Sequence, residues 1–408
     1  MNVEEFRTYF PGLAHSANGH KLCYLDNAAT TQRCVQTLEL LQKLSRDVNA
    51  NVHRSVYQLA SEATAEYEST RDYVKEYINA AHREEVVFTS GTTFSINLVA
   101  YSWGNSNIKA GDTIIVGESE HHSNLVPWQL LAQRTGAKVE YLPLSTEGKF
   151  DIDALKAMLN PSVKLVAVAQ VSNVIGLINP VKEIVSLAHA AGAKVLVDGA
   201  QGIVHCDVDV QDLDCDFYAF SGHKVFASTG TGILYAKREI LETMPPFLAG
   251  GEMIGTVTFD GATYADLPYK FEAGTPNFNS IPTLKTGLEL LNKAHHDKEL
   301  SESLERVKLF VNQELNNIER VKILGSPQNL EDKIPLFSIV VDGVHHEDIA
   351  TLLDAMGIAV RSGHVCAEPL MSCFDTNGIL RVSFAPYNTM EEAEYFISCL
   401  KRTIAMLS

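Results

Sequence analysis

The chain has seven cysteines, at 23, 34, 206, 215, 366, 373 and 399, but no two of them form a Cys-x-x-Cys pair. That scatter argues against a disulfide framework or a thiolate zinc site and fits a reducing compartment. No apolar run approaches the roughly 20 residues needed to span a bilayer. The first seven residues carry two acids and lead into no apolar core, so no secretory signal is read there. The expectation is a cytoplasmic protein with no membrane partner. Cations are in the minority: 33 lysines and arginines against 50 aspartates and glutamates leave a formal net charge of −17. A broad basic surface for nucleic acid is therefore not expected, although a local basic patch can still hold an anionic cofactor. Internal repeats, low-complexity tracts and long Gly/Ser linkers are missing too.

What remains is the composition of an ordinary globular protein, 46% hydrophobic and 20% charged. At 408 residues the chain is long enough for two domains. Short β-branched runs recur at 85–89, 113–117, 138–143, 164–169, 194–198, 216–220 and 232–236. Helix signals lie between them, such as 124–135 before Gly136 and 181–191 before Gly192. Continuous apolar strands separated by helices predict an α/β fold with a mostly parallel, seven-stranded sheet covered on both faces. From about residue 285 helical patterns dominate (283–294, 299–317, 347–356, 391–407), with a strand at 337–342, which predicts a smaller α+β domain. The division read from this is a segment 1–20 packing with the small domain, a large domain 21–284 and a small domain 285–408.

Parallel sheets place ligands beyond the carboxyl ends of their strands, and polar residues gather there in this sequence. Ser90-Gly91-Thr92-Thr93 follows the first strand; its amides and the Thr92 and Thr93 hydroxyls suit a phosphate at a helix N-terminus, although alone they read as a cap. Asp198 ends another strand, where a buried carboxylate needs a cationic partner such as a protonated pyridine nitrogen. Ser221-Gly222-His223-Lys224 follows the next strand, with Lys224 suited to imine formation and Ser221 and His223 to phosphate. Singly, each has a structural explanation; on successive strands they suit an aldehyde cofactor bearing a phosphate. Cys366 lies among Gly, His and Arg in the 361–366 loop, a setting that favours a reactive thiolate, while the other six cysteines read as packing. Arg361 and Arg381 have the fork geometry to grip a carboxylate. The His pairs at 121–122 and 345–346 lack further ligands at metal spacing; His121 instead suits stacking on a cofactor ring.

These motifs, in this order over nearly the whole chain, resemble the class V aminotransferases of fold-type I, and specifically the SufS/CsdA-type (group II) cysteine desulfurases. The resemblance runs from 24–30 and 51–55 through 120–124, 171–176, the Asp198 and Lys224 motifs, and 271–277 to 361–369 and 381–388. It implies pyridoxal 5'-phosphate as cofactor, held on Lys224, with Asp198 at the pyridine nitrogen, Gln201 at the ring oxygen and His121 against the ring. Thr93, Ser221 and His223 would bind the phosphate, and Thr275 would reach in from the second subunit of a homodimer. Asn173, Arg361 and Arg381 would orient the substrate, with His53 and Arg54 lining the pocket. Cys366 would take sulfur from L-cysteine as a persulfide and pass it to a SufE/CsdE-like acceptor protein, leaving alanine. L-Selenocysteine should fit the same pocket. The chain departs from the family at 225–232 and 278–282, which bears on the phosphate loop and the dimer interface. Two rivals remain at this stage: another class V enzyme, such as a small-amino-acid aminotransferase or a kynureninase-like hydrolase, and a catalytically silent cofactor-binding scaffold.

Overall fold

The computed structural model describes residues 1–145, 147–325 and 330–407. Seven strands form one sheet: β1 (Val86–Thr89), β2 (Thr113–Gly117), β3 (Lys138–Leu142), β4 (Val163–Ala169), β5 (Lys194–Asp198), β6 (Phe217–Ser221) and β7 (Gly232–Ala236). Their order is β1-β7-β6-β5-β4-β2-β3, with only β7 antiparallel to its neighbours. All seven lie within a residue or so of the apolar runs, because burial on both faces makes the whole strand apolar. Alternate residues serve opposite faces. Val166, Val168, Val195 and Val197 enter one core, while Leu165, Ala167 and Leu196 enter the other. Strand β3, at the sheet edge, is the exception and leaves most of its residues partly or fully exposed.

A second, four-stranded sheet contains β8 (Val321–Ile323), β9 (Leu336–Val341), β10 (Arg361–Gly363) and β11 (Ile379–Ser383), in the order β8-β9-β11-β10. Helices Lys298–Asn316, His346–Ala355 and Met390–Met406 supply its core, through residues such as Val311, Leu353 and Phe396. Helix Thr283–His296 instead buries Leu284, Leu288 and Leu291 in a core shared with the large sheet.

The N-terminal residues tie these parts together. Phe6 and Phe10 meet edge-to-face, with ring centroids 5.3 Å apart, and Phe10 packs on Phe226 and Tyr387. Arg7 donates to Glu392 at 2.9 Å. Further on, Cys23–Tyr24 pairs in parallel with Ile358–Ala359, and Asp26 bridges to Ser383. The divergent 225–232 stretch supplies Phe226 to this aromatic cluster, with a left-handed backbone (φ 64°) pinned by a hydrogen bond from its N–H to Thr31 Oγ1 at 3.1 Å.

Candidate functional site

Strands β1, β2, β4, β5 and β6 all point the same way, and the turns after them surround a cavity of about 280 Å³. Thr92 and Thr93, His121, Asn173, and Asp198 with Gln201 contribute to its wall. So do Ser221 at the end of β6 and His223 and Lys224 after it, and Arg361 and Arg381 of the small sheet close it with Cys366 from the loop after β10. Twelve residues marked in the sequence therefore converge on one space.

At one end Ser221 Oγ accepts the Thr92 N–H at 2.8 Å and lies 2.7 Å from Thr92 Oγ1. The helix Thr92–Val99 starts here, so its free amides and positive end face the same corner. The approach needs glycine. Gly91 has φ 146°, and a Cβ on Gly232 would stand 2.4 Å from the Gly91 Cα. Burial, then the Lys224 charge, lowers His223 to about 4, which leaves a neutral imidazole beside the hydroxyls.

Asp198 is 5% exposed, and among the described residues its carboxylate accepts one hydrogen bond, from Ala200 N–H at 2.9 Å. Burial raises its proton affinity, with the Lys224 charge opposing. Lys224 is lowered to about 8, chiefly by burial and against the attraction of Asp198. His121 is lowered to about 4 by burial and then by Lys224; its Nδ1 is 2.8 Å from Ser123 Oγ. Gln201 donates its amide to Ala28 O at 2.8 Å, which fixes the side chain in the wall.

Behind this group lies Glu120, which sequence reasoning passed over. It accepts from Ala169 N–H at 2.8 Å and from the Asn124 amide, and so braces β4 against the turn that carries His121. Burial, then the negative charge of Asp198, pushes it up to about 8. The unfolded chain releases this proton near 4.5 whereas the folded protein holds it to about 8. The folded state's advantage is thus complete below the lower value and is lost as pH rises through the upper one. Relative to wild type, Glu120→Gln should gain melting temperature as pH rises across that interval; a difference independent of pH would contradict the assignment.

The Cys366 loop is held open in an unusual backbone. Val365 (φ 45°) and Cys366 (φ 59°) are both left-handed, which is costly for a β-branched residue. Contacts from the large sheet offset that strain. Asn173 Nδ2 donates to Val365 O at 3.0 Å, and His122 N–H donates to Cys366 O at 2.8 Å. His122 Nε2 also accepts Glu368 N–H at 3.0 Å. Asn173, expected on the cofactor or substrate, thus spends its amide on the loop. His122, given no role from sequence, is its second anchor. The Cys366 side chain lines the cavity and the residue is exposed as well.

His53 and Arg54 do not line this cavity in the single chain, and nor does Thr275, which is expected to reach a second subunit's. His53 faces Glu68, with Nε2 2.9 Å from Oε1, and Arg54 pairs with Glu252 at 2.9 Å. Those acids hold both side chains away from this cavity in the single chain. Thr275 is exposed on the surface. Arg361, expected on a substrate carboxylate, lines the cavity and is held by Asp26, with Nη2 2.8 Å from Oδ2.

With this geometry in hand, the comparisons with known proteins are specific. The Aminotransferase class-V family model matches residues 23–396. The chain belongs to the class-V aminotransferase family. Among its relatives there, a probable cysteine desulfurase of Vibrio cholerae is 43% identical over 408 residues, covering 100% of both chains. A probable cysteine desulfurase of Synechocystis sp. is 46% identical, covering 98% of this chain and 96% of its own. Among solved structures, the cysteine desulfurase CsdA (S-sulfonic acid) from Escherichia coli superposes with a TM-score of 0.91 at 40% identity, with 100% of each chain covered. The apo cysteine desulfurase of Thermococcus onnurineus also reaches 0.91, at 36% identity, covering 99% of this chain and 98% of its own. Class-V aminotransferases are in general pyridoxal-phosphate enzymes, and the fold is that of fold-type I.

Proposed function

We propose that this chain is a pyridoxal-phosphate-dependent cysteine desulfurase. It would take sulfur from L-cysteine onto Cys366 and release L-alanine. The observation that carries the reading is the placement of Cys366 in the same cavity as Lys224, Asp198 and the arginine pair. An aminotransferase or a hydrolase of this family would have no use for a cysteine there.

The donor set suits the cofactor. Asp198 is a buried carboxylate that makes no ion pair among the described residues, which is what a protonated pyridine nitrogen would satisfy. The hydroxyls of Thr92, Thr93 and Ser221, the His223 imidazole and the helix amides suit its phosphate, His121 its ring face, and Lys224 its aldehyde. When bound, pyridoxal phosphate supplies an electron sink for charge developing at the substrate Cα.

The protein's own groups do the rest. Lys224 Nζ, lowered to about 8 by burial, is the base placed to move the Cα proton. Arg381, with Arg361 at the rim, orients the substrate carboxylate. The Cys366 sulfur attacks the substrate sulfur, so the Cβ–S bond breaks as an S–S bond forms. The electron pair of the broken bond stays with carbon, which takes up a proton and leaves as alanine. The exposure of Cys366 suits onward transfer to a SufE/CsdE-like sulfur-acceptor protein. A cytoplasmic homodimer, with Thr275 completing the partner's site, and activity on L-selenocysteine belong to the same proposal.

The test is a product balance. Holoenzyme given L-cysteine and a reductant should release sulfide and alanine in equal amounts. Pyruvate in place of alanine, or alanine without sulfide, would overturn the reading.

A further inference from the structure

Arg361 on β10 and Arg381 on β11 are direct cross-strand partners, an arrangement in which like charges repel. Asp26 lies between them. Its Oδ1 accepts from Arg361 Nε at 3.1 Å and Arg381 Nη2 at 3.3 Å, and its Oδ2 from Arg361 Nε at 3.0 Å and Nη2 at 2.8 Å. The chain delivers it there by pairing: Leu25 N–H donates to Ala359 O at 2.9 Å, and Ser383 N–H donates to Leu25 O at 2.8 Å. Asp26 is thus built in beside the two strands that carry the arginines. The three side chains differ in exposure, at 47% for Arg361, 12% for Asp26 and 3% for Arg381.

Asp26 does not exhaust the arginines' donors. Arg381 Nη1 donates to Asn173 O at 2.9 Å, and its Nε is buried without a partner among the described residues. Arg361 keeps Nη1 without a protein acceptor among the described residues, because Asp26 occupies its Nε and Nη2 edge. Both arginines line the cavity with Cys366. Two guanidiniums and one carboxylate leave a net charge of +1, which one α-carboxylate neutralises and an amide does not.

We propose that Asp26 is a positioning and specificity residue: it holds Arg361 beside buried Arg381 in the cavity wall so that the two guanidiniums together meet a substrate's α-carboxylate. The inference rests on the desulfurase reading above and deepens it. Without the Asp26 charge the two guanidiniums face each other uncompensated. Arg361, already half exposed, turns to water, and the carboxylate meets Arg381 alone.

The test compares kcat/KM for L-cysteine with kcat/KM for L-cysteinamide, using holoenzyme. Asp26→Asn keeps the shape and loses the charge; it should lower the ratio at least tenfold, mostly through KM for L-cysteine. Asp26→Glu, which retains the charge, should keep the ratio closer to wild type than Asp26→Asn does. Asp26→Ser is the second neutral variant and must show the same loss if Asp26→Asn does not fold. A purely structural role would reduce the amount of active enzyme equally for both substrates and leave the ratio unmoved. A folded neutral variant with the wild-type ratio overturns the proposal. Wild type that releases no sulfide from L-cysteine overturns the desulfurase reading as well, and that failure is visible before any variant is made.

Discussion

Lys224→Ala is expected to purify without the visible absorption band of the cofactor and to lose at least about 10³-fold in kcat/KM. A positioned proton-transfer group alone is worth about 10²- to 10⁴-fold, and this lysine is assigned both to proton transfer and to holding the cofactor. The loss should not come from unfolding. Burial lowers the amine to about 8, so the site penalises its charged form and the fold gains little from it. The cofactor-free variant should therefore melt at or above the temperature of cofactor-free wild type. A normal absorption band in Lys224→Ala would remove Lys224 from its assigned place.

Cys366→Ala should behave differently in a way that separates the two roles. Sulfide and alanine production from L-cysteine should both fall at least about 10²-fold, as for loss of a covalent nucleophile. The visible band should remain, and L-cysteine should still perturb it, because the groups assigned to cofactor and carboxylate are untouched. Stability should stay within about 0.5 kcal/mol, as for surface positions whose side chain supports no network. The Cys366 sulfur makes no hydrogen bond among the described residues, and the left-handed backbone is no easier or harder for alanine. Mass spectrometry of alkylated wild type after a single turnover should find one extra sulfur at Cys366. Full desulfuration by Cys366→Ala would remove the persulfide from the mechanism.

Much of this was legible in the sequence, for a physical reason. Strands buried on both faces must be apolar throughout, so β4 and β5 stand out, and the groups at their ends are the polar residues that interrupt them. Asp198 and Lys224 were found that way, and Cys366 by its polar loop. Asp26 was not, because an Asp-Asn pair after a short strand is ordinary turn chemistry and its arginine partner is 335 positions away. Glu120 was hidden in the same way beside His121; its burial depends on how β2 and β4 pack. For Arg361, nothing in sequence indicated that the protein supplied a carboxylate of its own, Asp26, to hold it. The partners of His53 and Arg54 were hidden for the same reason, since Glu68 and Glu252 reach them only in three dimensions. Strand ends reveal which chemistry is present, whereas ion pairs between distant segments reveal how it is aimed.

The boundary position of Cys366 has a kinetic meaning. Cys366 lines the cavity and is exposed as well, while hydrogen bonds from Asn173 and His122 anchor the backbone of its loop. Loading from within and unloading to the outside can then proceed in separate half-reactions, with the first product gone before the second reactant arrives. Initial velocities measured against donor and acceptor together should give parallel lines in a double-reciprocal plot, the signature of a ping-pong scheme.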